Sequence, residues 1–152
     1  MAESAEEDRL VLDKQLCFSL YAASRALTGL YRELLEDLGL TYPQYLVMLA
    51  LWEQGTLSVK ELSTTLHLDS GTLSPLLRRL EGAGLLTRER STKDERIVHV
   101  TLTEVGQQLR DRAHGIPDDL LCASELTHDQ ARDLKQRLDE LTRAVEGRHR
   151  YT

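Results

Sequence analysis

The sequence has little of what membrane, secreted and metal-binding proteins require. Its longest apolar stretches fall well short of the roughly 18–20 residues that span a bilayer. The acidic N-terminus contains no apolar segment of the kind found in signal peptides. Only two cysteines are present, with no C-x-x-C pair, and the five histidines show no paired metal spacing. These absences predict a cytoplasmic protein with reduced thiols, no metal or cofactor, and no membrane partner.

Glycine-rich phosphate loops and a Ser-His-Asp nucleophile set are also absent, so no motif favours an enzyme. The length of 152 residues and the 29% of charged residues are typical of one folded domain. The net charge of −6 argues at first against a nucleic-acid partner. Between Asp69 and Thr101, however, six basic residues outnumber five acidic ones, so this segment carries +1 and the remainder −7. Such an asymmetry allows one face to hold phosphates.

Apolar spacing and capping residues predict a chain made mainly of helices. Apolar residues recur every three or four positions from Leu12 to Leu38 and again from Ala131 to Val145, so each stretch carries a seam for another helix. Three capping boxes, in which Ser or Thr is followed three residues later by Glu or Gln, predict helices that begin at Thr41, Ser58 and Thr127.

The central region is predicted to contain three helices and a hairpin. The helix at Thr41 has Pro43 in its first turn and is expected to end at Gly55. Its expected buried residues are Leu46, Leu49 and Trp52. A short helix follows from Ser58, and Asp69 or Ser70 caps the next, which runs to about Glu81. Two strands at about 85–90 and 96–102 flank a charged tip at 91–95, and a fifth helix runs from about Thr103 to Ala113, before Pro117.

The outer face of the helix that ends near Glu81 suits a DNA major groove. Its four leucines share one face, which leaves small polar residues and arginines on the other. Gly71 and Pro75 lower helix stability, and a local rule broken on an outward face points to function rather than to a merely solvated surface. The candidate DNA contacts on this helix are Ser70, Gly71, Thr72, Ser74, Pro75, Arg78 and Arg79.

The hairpin tip supplies a second set of candidate DNA contacts. Asp94 lies two residues before Arg96, so the two side chains project from the same side of an extended strand. The carboxylate would hold the guanidinium for insertion into a narrow minor groove. An exposed ion pair of little energetic value explains the same two residues equally well. Arg88 and Lys93 complete the candidate contacts of the hairpin.

The residues from Ser58 to Thr103, including LDSGTLSPLLRRLEGAGLLTRERSTKDERIVHVTLT, resemble the winged-helix core of MarR-type regulators, and Asp94-Glu95-Arg96 matches the wing motif D-x-R of that family. The segments QLCFSLYAASR (15–25) and TYPQY (41–45) are similar to the organic hydroperoxide-sensing subgroup OhrR. The resemblance implies a mainly α fold with a small β-wing, a winged helix-turn-helix. It also implies a homodimeric bacterial repressor of pseudo-palindromic double-stranded operator DNA, induced by organic hydroperoxide.

The expected organisation is a single compact domain with three parts. Residues 1–8 form an acidic arm, and residues 41–102 form the winged helix-turn-helix region. Residues 9–40 and 103–152 supply the helices of a dimerisation region, because both carry an apolar seam that another helix can cover.

Cys17 lies early in the first helix, where the backbone dipole favours a thiolate. The resemblance implies that peroxide oxidises Cys17 to a sulfenic acid, that Tyr31 and Tyr42 hydrogen-bond to its sulfur, and that Tyr21 is a third nearby aromatic residue. It also implies that Cys122 of the partner subunit is the resolving thiol, with an intersubunit disulfide as the expected product. A mixed disulfide is the alternative product. Cys17 and Tyr31 are 14 positions apart, about 21 Å along a helix, so Tyr31 can serve Cys17 only from a second subunit.

Alternative functions stay open at this point. A MarR-like repressor released by a small phenolic ligand, bound between the first helix and the winged region, would not need Cys17. A thiol peroxidase would turn over hydroperoxides, although such enzymes usually rest on a sheet scaffold. A helical interaction module is a third alternative, and both cysteines are also compatible with small buried hydrophobic residues.

Overall fold

Seven α-helices and three short β-strands make up residues 8–148, which are the residues that the computed structural model describes. In chain order they are α1 (Leu16–Leu34), α2 (Tyr42–Gln54), β1 (Leu57–Ser58), α3 (Val59–Leu66), α4 (Ser70–Gly82), β2 (Leu86–Arg90), β3 (Val98–Leu102), α5 (Glu104–Ala113), α6 (Ile116–Ala123) and α7 (His128–Arg148). Short 3-10 turns flank α1 at Leu12–Lys14 and Glu36–Leu38. None of the helices within 8–148 has the length and apolar character needed to cross a membrane.

The chain divides into two compact units, one that ends at Arg112 and one that begins at Ala113. The first unit contains α1 to α4, the sheet and nearly all of α5, and the second contains α6 and α7. The sequence-based division instead groups 9–40 with 103–152 around 41–102. Of the expected acidic arm at 1–8, residues 1–7 lie outside the described part of the chain.

The capping boxes fix the helix starts that the sequence predicts. Thr41 Oγ1 accepts the backbone N–H of Gln44, and Gln44 Oε1 accepts the N–H of Thr41 at 3.0 Å. Ser58 and Glu61 form the same reciprocal pair at the start of α3. Thr127 and Gln130 repeat it before α7, at 3.0 and 3.1 Å. Each box satisfies backbone donors that a helix N-terminus leaves free, and these three predictions are confirmed.

The expected buried face of α2 is wrong. Leu49 is 38% exposed, and Leu46 and Trp52 are only partly buried. The buried residues of α2 are Gln44, Tyr45, Val47, Met48, Ala50 and Leu51. This helix packs against α1, α3, α4 and β3, and a central helix that is apolar nearly all round has no single face that its periodicity can identify.

The sheet has the strand order β1-β3-β2, and both pairings are antiparallel. The two strands of the hairpin agree with the predicted ones to within two residues. Strand β3 lies in the middle, and its Val100 is fully buried, opposite Leu57 of β1 on one side and Arg88 of β2 on the other. Strand β1 was not predicted, because two residues carry no alternation that a sequence can reveal.

Helix α6 has no counterpart among the predicted elements. Pro117 marks the end of α5, as expected, but it also lies in the first turn of α6, where its missing N–H would have had no helical partner. Cys122 therefore lies within a helix, close to its C-terminal end, and not in a segment before α7.

A group of close contacts fixes the root of the wing, which is the hairpin formed by β2, β3 and the loop between them. Trp52 Nε1 donates to the carbonyl oxygen of Gly106 at 2.9 Å. Thr103 donates its hydroxyl to the carbonyl of Gly84 at 2.6 Å and its N–H to the carbonyl of Leu85 at 3.0 Å. A Cβ added at Gly106 would lie 2.0 Å from the carbonyl oxygen of Leu85. The start of α5 can therefore approach the turn before β2 only because residue 106 is glycine.

Candidate DNA-reading surface and redox site

Helix α4 is anchored by one face and one cap. Leu73, Leu77 and Leu80 are buried. Asp69 is the N-cap residue, and its carboxylate accepts the N–H of Thr72 at 2.7 Å. This hydrogen bond holds the pKa of Asp69 below its ordinary value. The cap and the leucine face together fix which side of α4 points outward.

The outward side of α4 carries the residues that the sequence predicts for DNA contact. All of them are exposed except Ser74, which is partly buried; the exposed ones are Ser70, Gly71, Thr72, Pro75, Arg78 and Arg79. Pro75 lies inside the helix and has no N–H, so the carbonyl of Gly71 lacks its usual i+4 partner. The surface offers small side chains, a peptide oxygen without its i+4 donor and two guanidinium groups, which suits a major groove.

The tip of the wing presents Arg96 in a fixed orientation. Asp94 Oδ1 accepts the Nε–H of Arg96 at 3.1 Å, and Oδ2 accepts Nη2 at 3.3 Å. Asp94 Oδ1 also accepts the backbone N–H of Arg96. These hydrogen bonds hold the pKa of Asp94 below its ordinary value. The Arg96 side chain is 90% exposed, and Lys93 is exposed beside it, so the tip is a charged, oriented projection.

Arg88 differs from the other candidate DNA contacts. Its guanidinium forms an ion pair with Glu81 at 3.2 Å, and its side chain is only 28% exposed. The sequence gives no sign of this pairing, because the two residues lie seven positions apart in different elements.

Cys17 is exposed at the second position of α1. It is surrounded in sequence by apolar side chains that are also exposed: Leu16 at 64%, Phe18 at 39% and Tyr21 at 57%. Helix α1 contains no buried residue at all. The thiol therefore lies at the amide end of a helix whose apolar residues near Cys17 are left largely exposed.

Tyr31 and Tyr42 stack on one another, with ring centroids 4.4 Å apart. Tyr45 completes the cluster at 5.7 Å from Tyr31. Burial, followed by the neighbouring phenols Tyr42 and Tyr45, raises the pKa of Tyr31 to about 12. The Tyr31 hydroxyl therefore keeps its proton at neutral pH and can donate a hydrogen bond. Tyr45 was not among the predicted site residues, although its position three residues after Tyr42 puts both on one side of α2.

The structure joins Tyr31 to Tyr42 but separates both from Cys17. Cys17 and Tyr31 lie on the same helix, α1, at its opposite ends, and their spacing corresponds to about 21 Å along the axis. Tyr21 is engaged separately: Arg25 lies 5.5 Å from its ring centroid and donates to its hydroxyl at 3.2 Å.

Cys122 is exposed on α6 in the second unit, and both cysteines are free thiols. Within residues 8–148, no group of three or more His, Cys, Asp or Glu residues is placed to hold a metal ion. The two exposed thiols are accessible to oxidants.

The chain is similar to known transcription regulators. The family model described as transcriptional regulator SarA/Rot matches residues 29–113. The organic hydroperoxide resistance transcriptional regulator of Bacillus subtilis is 49% identical over 131 residues, which is 86% of this chain and 89% of that protein.

Solved structures of AbfR, a protein of Staphylococcus epidermidis, are similar in fold as well. Reduced AbfR bound to DNA matches with a TM-score of 0.74 and 36% identity, covering 88% of this chain and 93% of that one. Disulfide-formed AbfR matches with a TM-score of 0.60 and 34% identity, covering 90% of each chain.

Proposed function

The chain belongs to the MarR-type family of winged-helix transcription regulators that includes the organic hydroperoxide resistance regulator, and on that premise we propose that it is a repressor whose thiol Cys17 senses organic hydroperoxides. The family consists of DNA-binding regulators and not of enzymes, which removes the thiol peroxidase and the plain interaction module as alternatives. The similar protein AbfR has a disulfide form, and its reduced form binds DNA. These two forms favour cysteine redox chemistry over a phenolic inducer. We place the repressor in the bacterial cytoplasm.

The observation that carries the proposal is the position of Cys17 among uncovered apolar side chains. An exposed thiol beside Leu16 and Phe18 is expected at a boundary between two chains, because such a surface is costly to leave in water. Helix α7 carries a comparable seam, with Leu134, Leu141 and Val145 between 37% and 54% exposed. A homodimer would cover these faces and would bring Tyr31 and Tyr42 of the partner subunit to the thiol.

The chemistry follows from the groups that this dimer would assemble. The Cys17 thiolate attacks one peroxide oxygen, the O–O bond breaks, and the alkoxide takes a proton to leave as an alcohol. The phenols of the partner's Tyr31 and the partner's Tyr42 orient the thiolate. The resulting sulfenic acid is then attacked by the thiolate of Cys122 of the partner subunit, with hydroxide leaving as water after protonation. The product is one intersubunit disulfide.

Each subunit of the dimer has a DNA-reading head, formed by α4 and the wing. Formation of the disulfide would release DNA by changing the distance between the two heads. Each head offers the outward side of α4 to a major groove and Arg96 to a minor groove, and a symmetric dimer reads a pseudo-palindromic operator only when its heads are about one helical turn apart. Cα atoms must approach to about 4.4–6.8 Å for a disulfide. We infer that this closure moves the heads away from the operator spacing.

The test is release of operator DNA by an organic hydroperoxide. A duplex enriched by the reduced protein from a random-sequence library serves as the fluorescent probe, and anisotropy reports binding. We expect cumene hydroperoxide to lower the affinity on the order of 10- to 100-fold, with recovery after dithiothreitol. Affinity that is unchanged by stoichiometric peroxide would contradict the sensing role, and no selected duplex at all would contradict DNA binding.

A separate prediction concerns Cys122. After treatment with hydroperoxide, non-reducing electrophoresis should show a covalent dimer for the wild type and only monomer for Cys122→Ser, because that variant lacks the resolving thiol. Cys17→Ser should also remain monomeric. A covalent dimer in Cys122→Ser would mean that two Cys17 thiols join each other, and the resolving role of Cys122 would be wrong.

A further inference from the structure

One ion pair joins the last turn of α4 to the middle of β2. Glu81 Oε2 accepts the backbone N–H of Arg88 at 2.9 Å, and Glu81 Oε1 accepts Nη2 of Arg88 at 3.2 Å. A single carboxylate therefore binds both the main chain and the side chain of the same residue. The side chains of Glu81 and Arg88 are 38% and 28% exposed, so the pair is partly withdrawn from water.

This pair bridges the turn that sets the wing relative to α4. Only Ala83, Gly84 and Leu85 separate the helix from β2, and Gly84 has a φ of +78°, a conformation that glycine adopts easily and leaves easily. The outward side of α4 lies before this turn and the wing tip lies after it. A change at the turn would therefore alter the angle between the two candidate DNA-contacting surfaces.

We propose that Glu81 is a positioning residue for DNA binding, which holds β2 and the wing at a fixed angle to α4, and that Arg88 is its partner and not a DNA contact. The proposal rests on the operator binding proposed above, and it concerns residues to which that function assigns no such role.

The surroundings of Arg88 support this assignment over a phosphate contact. Arg96 is 90% exposed, as a residue that reaches DNA should be, whereas Arg88 is mostly covered. Nε of Arg88 is buried and has no hydrogen-bond partner among the described residues, so this edge of the guanidinium faces inward. The hydrogen bonds from Arg88 hold the pKa of Glu81 below its ordinary value.

The direction in which one substitution changes the affinity for DNA tests the proposal. Removal of an acidic side chain near a phosphate backbone should by itself strengthen DNA binding. We expect Glu81→Ala to weaken binding to the library-selected duplex about tenfold, because the wing loses its fixed angle. The matched control is Glu89→Ala, which removes an exposed acid on β2, next to Arg88. It should leave affinity unchanged or raise it. Glu81→Ala that binds as tightly as Glu89→Ala would overturn the proposal.

Arg88 is tested by salt dependence and by a double variant. A phosphate contact contributes roughly 0.9 to the slope of log affinity against log salt. Arg88→Gln should leave this slope unchanged, whereas Arg96→Ala should lower it. The variant with both Glu81→Ala and Arg88→Gln should bind no more weakly than either single variant, since both remove the same interaction. A lower slope for Arg88→Gln, or effects that multiply in the double variant, would make Arg88 a DNA contact instead.

Two controls separate these outcomes from loss of folding and from failure of the repressor model. Circular dichroism and thermal unfolding establish that each variant is folded at the assay temperature. If Glu81→Ala unfolds, Glu81→Gln replaces it, because glutamine keeps the size of the side chain. It should weaken binding in the same direction. The affinity of the wild type for the duplex tests operator binding itself. Absence of wild-type binding would contradict the proposed function, whereas a Glu81 variant that binds like the wild type would contradict only the positioning role.

Discussion

Replacing Cys17 by serine is expected to leave operator binding intact while abolishing its release by hydroperoxide. Serine has nearly the size of cysteine and tolerates the exposed position at the start of α1, but its hydroxyl is not oxidised by peroxides. The reduced wild type and Cys17→Ser should therefore bind the selected duplex equally. After cumene hydroperoxide, the wild type should lose on the order of 10- to 100-fold in affinity and the variant none, as measured by fluorescence anisotropy.

Cys122→Ser is the matched control for this experiment, because it removes the other thiol and keeps the sensing one. It should still form a sulfenic acid, which a dimedone-type reagent traps at Cys17 and which mass spectrometry locates. The sensing assignment fails if Cys17→Ser is released from DNA as readily as the wild type. Release of Cys17→Ser but not of Cys122→Ser would transfer the sensing role to Cys122.

Gly106→Ala is expected to have the largest effect on stability. The added Cβ would lie 2.0 Å from the carbonyl oxygen of Leu85 and 2.9 Å from its carbonyl carbon. Both are backbone atoms held by the hydrogen bond from the N–H of Thr103, so the contact cannot be relieved by a rotamer change. We expect a loss of about 3 kcal/mol in the free energy of unfolding, the upper end of typical overpacking costs, measured by urea denaturation.

Gly82→Ala is the control for Gly106→Ala. Gly82 is the last residue of α4, and a Cβ added there meets no atom within 4 Å. Its free energy of unfolding should stay the same or rise by a few tenths of a kcal/mol, because alanine has the higher helix propensity. Equal stability of the two variants would show that α5 can move away from the turn before β2, and that the root of the wing is not rigid.

The local signals in the sequence predicted the helix starts well because capping is local chemistry. Thr41 and Gln44 lie three residues apart and exchange hydrogen bonds across one turn, so no distant residue decides the outcome. The same holds for the charged hairpin, whose turn and flanking strands lie within seventeen residues of one another. Burial on α2 depends instead on four surrounding elements, and this is why Leu49 was placed wrongly.

Long-range pairing explains why no local pattern predicts β1. Strand β1 exists because Leu57 pairs with Val100, forty-three positions later. Helix α6 was missed for a different reason, since Pro117 both ends one helix and suits the start of another.

The candidate site also has features that local spacing predicts and others that depend on contacts between separate elements. The outward side of α4 agrees with the helical periodicity. Asp94 and Arg96 are paired as expected, but they lie in a turn before β3, closed by a hydrogen bond from the N–H of Ile97 to the carbonyl of Asp94, and not on an extended strand. Contact of either surface with DNA stays a prediction. The pairing of Arg88 with Glu81 depends on a turn at Gly84 that brings two elements together, and no spacing rule covers it. The roles of Cys17, Cys122 and Tyr31 came from family resemblance, and they stay predictions until the thiols are tested.

The indole of Trp52 gives the molecule a built-in optical reporter. It is the single tryptophan of the chain, and its ring lies 6.5 Å from that of Tyr45. Its Nε1 donates a hydrogen bond to the carbonyl oxygen of Gly106 at the root of the wing. Emission from one fluorophore thus samples the place where the tyrosine cluster and the wing meet. Stopped-flow recordings after peroxide addition can therefore time the arrival of a conformational change there, with no dye attached to either the protein or the DNA.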